Sequence, residues 1–350
     1  MFEYSNWAVL TVNFVVVLSL ALSGVALCAV LHLVNAKWRF EVRHLASSLY
    51  ALFPLAFVLL LVLLAGGDHT FPWWNGTVTS EYHMPGWYQP HWLVAREVIG
   101  MLFMMALYWV FIKRQSVSER SPEDAQKFHQ VATWIPFFFV LYSTMVAWDF
   151  EMTLVPQWHS AIYGLQQFVS NFNMFLSFLV VWIYVLNTRE RLLRPVPTKI
   201  YNYIAQMMLA FTLLWVYTFY AQYLTIWYGN LPDETGRIFG SLPGESGPVF
   251  GMQNGDYAFL WWSMLALKFV IPFVSLAFPA TRHNPIAINA VAGCIITGTL
   301  FERYLWIGGI NGTGAYPVLA AVLVSGVVAT AGFFLVRGLM QRTQLIRGKW

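Results

Sequence analysis

Residues 7–34 read WAVLTVNFVVVLSLALSGVALCAVLHLV, without an Asp, Glu, Lys or Arg among them. About 20 apolar residues suffice for a helix to cross the hydrocarbon core of a bilayer. The run lacks the two-residue alternation of a barrel strand. In lipid a backbone satisfies its own hydrogen bonds only as a helix or in a closed barrel, so this stretch is a helix. It opens after Met-Phe-Glu-Tyr with no basic leader and is too long for the core of a secretory signal, so none is expected.

Working outward, apolar runs between polar breaks place nine spans at 7–35, 44–66, 91–112, 131–154, 159–187, 200–228, 257–280, 285–306 and 315–337. Composition agrees. Only 10% of the 350 residues are charged, against about 25% in a soluble chain, and the mean hydropathy is +0.57. The expected fold is an all-α integral membrane protein. It has a four-helix bundle over 1–154, a second over 155–306, and a peripheral helix with a basic tail over 307–350. Several runs exceed the bilayer thickness, which permits tilt without fixing it.

The net charge of +4 does not point to nucleic acid, because the basic residues gather at helix ends on one side. Lys37, Arg39 and Arg43 follow the first span. Lys113, Arg114, Arg120 and Lys127 follow the third; Arg189, Arg191, Arg194 and Lys199 follow the fifth. Arg282 follows the seventh, and Arg337, Arg342, Arg347 and Lys349 form the tail. That is 16 of 20 on one side, whereas the opposite connections hold only Arg237. The positive-inside rule then puts the N-terminus outside and the C-terminus in the cytoplasm.

The outer connections 67–90 and 229–256 are long, rich in Trp, Tyr, Gly and Pro, and acidic (Asp68, Glu81, Asp233, Glu234, Glu245, Asp256). Two readings stand for them: a docking surface for an external subunit, or a cap at the lipid interface.

Ionisable groups inside spans are costly and are therefore functional candidates. Arg96 with Glu97, and Glu302 with Arg303, lie near the outer ends of the third and eighth spans. Asp149 and Glu151 close the fourth. Interfacial anchoring by snorkelling is one reading. The other is a partner on a different helix, since adjacent helical residues do not face each other. Lys268 lies about 16 Å into the seventh span, at 1.5 Å per residue, too deep to reach water. It requires a partner on another helix, Glu302 or Asp149, either as a structural ion pair or as part of a proton path.

A membrane cytochrome b needs axial histidines within its spans. Of the eight here only His32 lies clearly inside one, near the inner end, so no haem is expected. Cys28 and Cys294 sit in apolar runs without a CxxC, so no metal or iron–sulfur site is expected either.

Two segments carry a resemblance. Residues 147–164 read AWDFEMTLVPQWHSAIYG, and residues 219–235 read FYAQYLTIWYGNLPDET. Both resemble the NrfD/PsrC (polysulfide reductase membrane subunit) family, most closely its ActF branch, the second large membrane subunit of alternative complex III. The stretches 32–45 and 268–285 fit as well. The chain departs from that branch in having nine spans rather than ten, and in His159, displaced by one position.

The resemblance implies a metal-free membrane subunit in the cell's inner (cytoplasmic) membrane. Its partners would be an iron–sulfur subunit on the outer face, a multihaem cytochrome c subunit and a sister NrfD-like membrane subunit. A quinone or menaquinone would be handled at that face, with a polar track moving protons. Asp149, Glu151, His159, Tyr163, Tyr223, Trp227, Asn230, Glu234, Arg96 and Arg303 all map to the outer half. Lys268, Glu302 and His32 are further proton-path candidates. A quinone site needs an apolar slot headed by proton-exchanging groups, and Asp149, His159, Tyr223 and Glu234 are expected to share one polar layer. Against this, Asn230, Pro232 and Glu234 could simply end the sixth helix, with Tyr and Trp as belt residues. The competing classes are a transporter or proton channel acting alone and a non-catalytic scaffold. Few Gly or Pro residues interrupt the spans, which counts against the broken helices of transporters.

Overall fold

The computed structural model describes residues 4–75, 85–156, 158–189, 191–231, 258–308 and 318–346. Among these, nine helices are long and apolar enough to cross a membrane: α1 (Trp7–Leu33), α2 (Arg39–Ala65), α3 (Pro90–Val117), α4 (Pro122–Leu154), α5 (Tyr163–Thr188), α6 (Lys199–Gly229), α7 (Ala258–Ala277), α8 (Pro285–Ile307) and α9 (Ala321–Arg342). The chain is a multi-pass membrane protein. Glu234 and most of the two long aromatic connections lie outside the described residues.

Several helices run about five residues or more past their apolar stretches, and these extensions lie at the end where the basic residues gather. α4 begins nine residues before the apolar run, because Ser121 caps it by accepting the Asp124 N–H at 3.1 Å and Pro122 occupies the first turn. That is a start signal in its own right. α8 opens the same way, with Asn284 accepting from the N–H groups of Ile286 and Ala287. α2 bends through a tight 3₁₀ turn at Ser48–Leu52, just ahead of Pro54.

The helices assemble as two antiparallel sets of four. α1 packs on α2 and α4, and α3 on α2 and α4; in the second set α5 packs on α6 and α8, and α7 on α6 and α8. α5 also packs against α1 and α4, which joins the sets. Burial follows this plan: of the nine, α1 is the most enclosed by protein and α9 the least. α9 is therefore peripheral. It lies along α1 and the bend in α2, on the flank of the first set although it follows the second in sequence. Its C-terminal end is tied to the α5–α6 connection, where the Leu193 N–H donates to the Leu345 carbonyl at 3.2 Å.

Two spans contain π-helical turns, at Ala266–Val270 in α7 and Tyr304–Gly308 closing α8. Such turns are uncommon and concentrate at functional sites. The first contains Lys268. The second begins directly after Arg303.

Candidate functional site

The aromatic end of the array, opposite the basic end, holds two clusters of buried charge. The larger one is built from α5 upward. Along this apolar helix Tyr163, Gln166, Gln167, Ser170, Asn173 and Ser177 recur at helical spacing, and all are buried. They form a polar stripe facing α6 and α8. The stripe meets a similar one on α6: Gln222 donates to Gln166 and Asn173 to Thr212. Between these rungs sits Glu302 of α8, which accepts from the Trp215 indole N–H at 2.8 Å.

Lys268 reaches the same carboxylate. Its ammonium donates to Glu302 Oε2 and, at 2.5 Å, to Ser170 Oγ, while lying 4.7 Å above the Trp215 ring. Ser170 in turn donates its hydroxyl hydrogen to Glu302. Arg303 completes the cluster. One guanidinium nitrogen donates to both oxygens of Glu151, at 2.6 and 2.7 Å. The other donates to Ser170 at 2.8 Å and to Glu302 at 3.1 Å. Tyr163 donates to Glu151 at 2.7 Å. Lys268, Glu302, Arg303 and Glu151 are all fully buried, so two cations face two carboxylates out of contact with lipid and water. Because Glu151 lies at the end of α4, in the first set, the Arg303–Glu151 pair also fastens the two sets together.

The second cluster belongs to α3 and α4. Arg96 grips Asp149 with a two-pronged fork, Nε to Oδ2 and Nη2 to Oδ1, each at 2.6 Å. The Trp87 indole donates to Asp149 at 2.7 Å, and its ring lies 4.1 Å from the guanidinium. Beside this pair Glu97 is fully buried, with the Tyr142 hydroxyl 3.3 Å away as its only donor among the described residues.

These contacts decide between several of the sequence readings. Glu97, Glu302 and Arg303 are enclosed by protein, so interfacial snorkelling does not apply to them. Lys268 pairs with Glu302, not Asp149. The expectation that Glu302 and Arg303 would not meet each other is corrected. Their Cβ atoms diverge, but the long side chains curl onto a shared serine.

Of the four residues expected to share one polar layer, Asp149 belongs to the second cluster and Glu234 lies outside the described residues. Tyr223 packs, partly buried, on the aromatic cluster of Trp158, Tyr163 and Trp306, and His159 is half-buried. Trp227 is 62% exposed on the outer surface of α6, as a belt residue would be. Asn230 ends α6 in the left-handed conformation with φ 47°, which is a capping role. His32 lies at the opposite, basic end against Phe128 and His129. It lines a cavity of about 150 Å³ with Cys28, Arg43 and Glu119.

Sequence reasoning passed over Ser170, Trp215 and Tyr142. A signal existed for the first: polar residues at i, i+3/i+4, i+7 and i+10 on a helix that is otherwise apolar.

Glu151 accepts from Tyr163 and Arg303, and Asp149 from Arg96 and Trp87, while Arg303 Nε and the Gln167 amide have no hydrogen-bond partner among the described residues. A cavity of about 840 Å³ lies between α1, α2, α5, α8 and α9 and is lined almost wholly by apolar side chains. What the charge layer can do is hold and exchange protons. Its hydrogen-bonded chain runs from Tyr163 through Glu151, Arg303, Ser170 and Glu302 to Lys268, deep in α7. Comparison with protein-family models and with curated proteins finds no match for the chain.

Proposed function

We propose that the chain is a membrane subunit of a respiratory quinone/quinol oxidoreductase complex of the alternative complex III kind, and that its own contribution is to proton movement. The observation that carries the reading is Lys268. A lysine near mid-span on a π turn, joined to a continuous buried chain of hydrogen-bonding groups, is a costly arrangement for a purely structural helix. The likeness of residues 147–164 and 219–235 to NrfD-family segments supplies the redox context. The protein donors already on Asp149, Glu151 and Glu302 favour placing the quinone on a partner or sister subunit. The excess of Lys and Arg at one end supports an N-terminus outside and a C-terminus in the cytoplasm. The aromatic end would then receive the iron–sulfur and cytochrome subunits.

Mild solubilisation from native membranes tests the assembly. Iron–sulfur and multihaem subunits should co-elute with this chain; recovery of the chain alone, active as a transporter, would sink the reading. Cross-linking that joined redox subunits to the basic-end connections would reverse the proposed orientation. Lys268→Met tests the proton role in the assembled complex. Quinol-driven electron transfer should persist while proton release in proteoliposomes falls. Full coupling in that variant would reduce the network to a scaffold.

A further inference from the structure

The charge count differs between the two clusters. Around Lys268 it closes, with two cations and two carboxylates. Around Arg96 it does not. Among the described residues, the groups that face one another there are Arg96 and Glu97 of α3, Asp149 and Tyr142 of α4, and the uncharged Trp87 from the preceding connection. One guanidinium therefore meets two carboxyl groups. Both are 0% exposed, at a position where an unpaired ion would have neither water nor, among the described residues, a second cation.

The hydrogen bonds show the same shortfall. Trp87 and two nitrogens of Arg96 donate to Asp149, and the third Arg96 nitrogen donates to the Trp87 carbonyl at 3.2 Å. Tyr142 reaches only one oxygen of Glu97, and Oε1 has no partner among the described residues. The Glu97 carboxyl nevertheless has the Asp149 carboxylate as a neighbour, because Arg96, the residue before it, holds Asp149. Two ionised carboxylates have no hydrogen to place between them. A single proton supplies the missing donor and closes the charge count at once, as when two acids share one site.

We infer that Glu97 and Asp149 form a proton-binding site: the pair holds one proton, carried on Glu97 and bonded toward Asp149, while Asp149 remains the ionised partner of Arg96. The chemistry is reversible proton binding, with no bond to carbon and no electron involved. Loss of the proton leaves two carboxylates competing for Arg96, whose fork spans Asp149 and stacks on Trp87 at the aromatic end. The site thus couples the protonation of Glu97 to the grip of Arg96 on the Trp87 connection. It does not depend on the redox reading, since the count is the same if the chain works alone.

Infrared spectra of the purified full chain in lipid nanodiscs at neutral pH test this directly. The wild type should show a protonated-carboxyl C=O stretch that shifts down in D₂O. Glu97→Gln should lose it. In Asp149→Asn the remaining charges are Arg96 and Glu97, one of each sign. Glu97 then ionises, and the band should vanish although Glu97 is intact. A wild-type spectrum without the band overturns the inference with no need for either variant to fold. A band that survives both substitutions overturns it by placing the proton elsewhere. A band that appears only when sodium is withdrawn overturns it in favour of a metal cation.

Discussion

The Lys268 cluster and the Arg96 cluster lie at the same end of the molecule and are held by helices at matching places in their four-helix sets, although Arg96 is partly exposed and every charge of the first cluster is buried. They differ in balance and in reach. The first is neutral, contains four charged residues, and extends from the end of α4 through α8 to α7. The second carries one acid too many and is confined to α3, α4 and the connection before them. Buried ions are tolerated when every one is paired, and breaking a pair costs about 3–5 kcal/mol because the survivor is left uncompensated. The balanced cluster should therefore be rigid and intolerant of any single change in charge. The unbalanced one should tolerate neutralisation of its surplus acid.

Arg303→Met should expose this difference most sharply. It leaves Glu151 with only Tyr163 as a described hydrogen-bond donor, leaves Glu302 with Lys268 alone for a cation, and cuts the tie between the two helix sets. A loss of about 3–5 kcal/mol is expected, read as a large drop in thermal unfolding midpoint or failure to accumulate in the membrane. Near-wild-type stability would mean that the cluster is wetter and looser than its burial implies.

Lys268→Met should cost less, because Arg303 and the Trp215 indole still attend Glu302. Adding Glu302→Gln restores balance between Arg303 and Glu151, so the double variant should recover part of the loss. A coupling of about 1–3 kcal/mol is expected for residues in one network; strict additivity would show that the two side chains do not share an ion pair. In the other cluster Arg96→Lys keeps the charge and removes the fork. A smaller loss, on the order of 1–2 kcal/mol for charge-assisted hydrogen bonds, should appear together with a changed Trp87 fluorescence. An unchanged spectrum would argue that Trp87 is held by other contacts.

The two clusters were not equally legible in the sequence. Uncharged runs such as 7–34 located the spans, since water-free hydrocarbon permits little else. Lys268 could be read as needing a partner because depth follows from residue count. Glu302 was one of two acids offered for it. Pairing across helices is another matter. Which acid on α4 faces Arg303, and which faces Arg96, depends on helix rotation, and Asp149 and Glu151 go to different clusters although only Phe150 separates them. Burial of the whole Glu302 and Arg303 side chains was invisible too, because an acid–base pair near a span end reads equally well as an interfacial anchor. The π turns leave no mark in composition. The caps at Ser121 and Asn284 did leave one, but it lies in polar sequence beyond the apolar runs.

The smallest expected effect tests how tightly the balanced cluster is held by its backbone. Gly298 lies one turn before Glu302 on α8, where the helix crosses α7 at the π turn. A Cβ added there would meet the backbone nitrogen of Lys268 at 3.0 Å and the Cβ atoms of Leu267 and Lys268 at 3.1 Å. Those atoms belong to the backbone and its first carbons, so none can swing aside and the two helices must part by a few tenths of an ångström. Overpacking of this kind costs about 1–3 kcal/mol. At Gly298 the helix gain of up to about 1 kcal/mol from replacing glycine by alanine offsets part of it. Gly293, on the same helix, meets nothing within 4 Å when given a Cβ. Gly293→Ala should therefore be neutral or slightly stabilising, whereas Gly298→Ala should lose about 1 kcal/mol and weaken the Lys268–Glu302 contact. Adding Gly298→Ala to Lys268→Met should then cost less than it does in the wild type, since the contact it disturbs is already gone. Equal costs in both backgrounds would show that the close crossing of α7 and α8 serves packing alone and does not set the geometry of the ion pair.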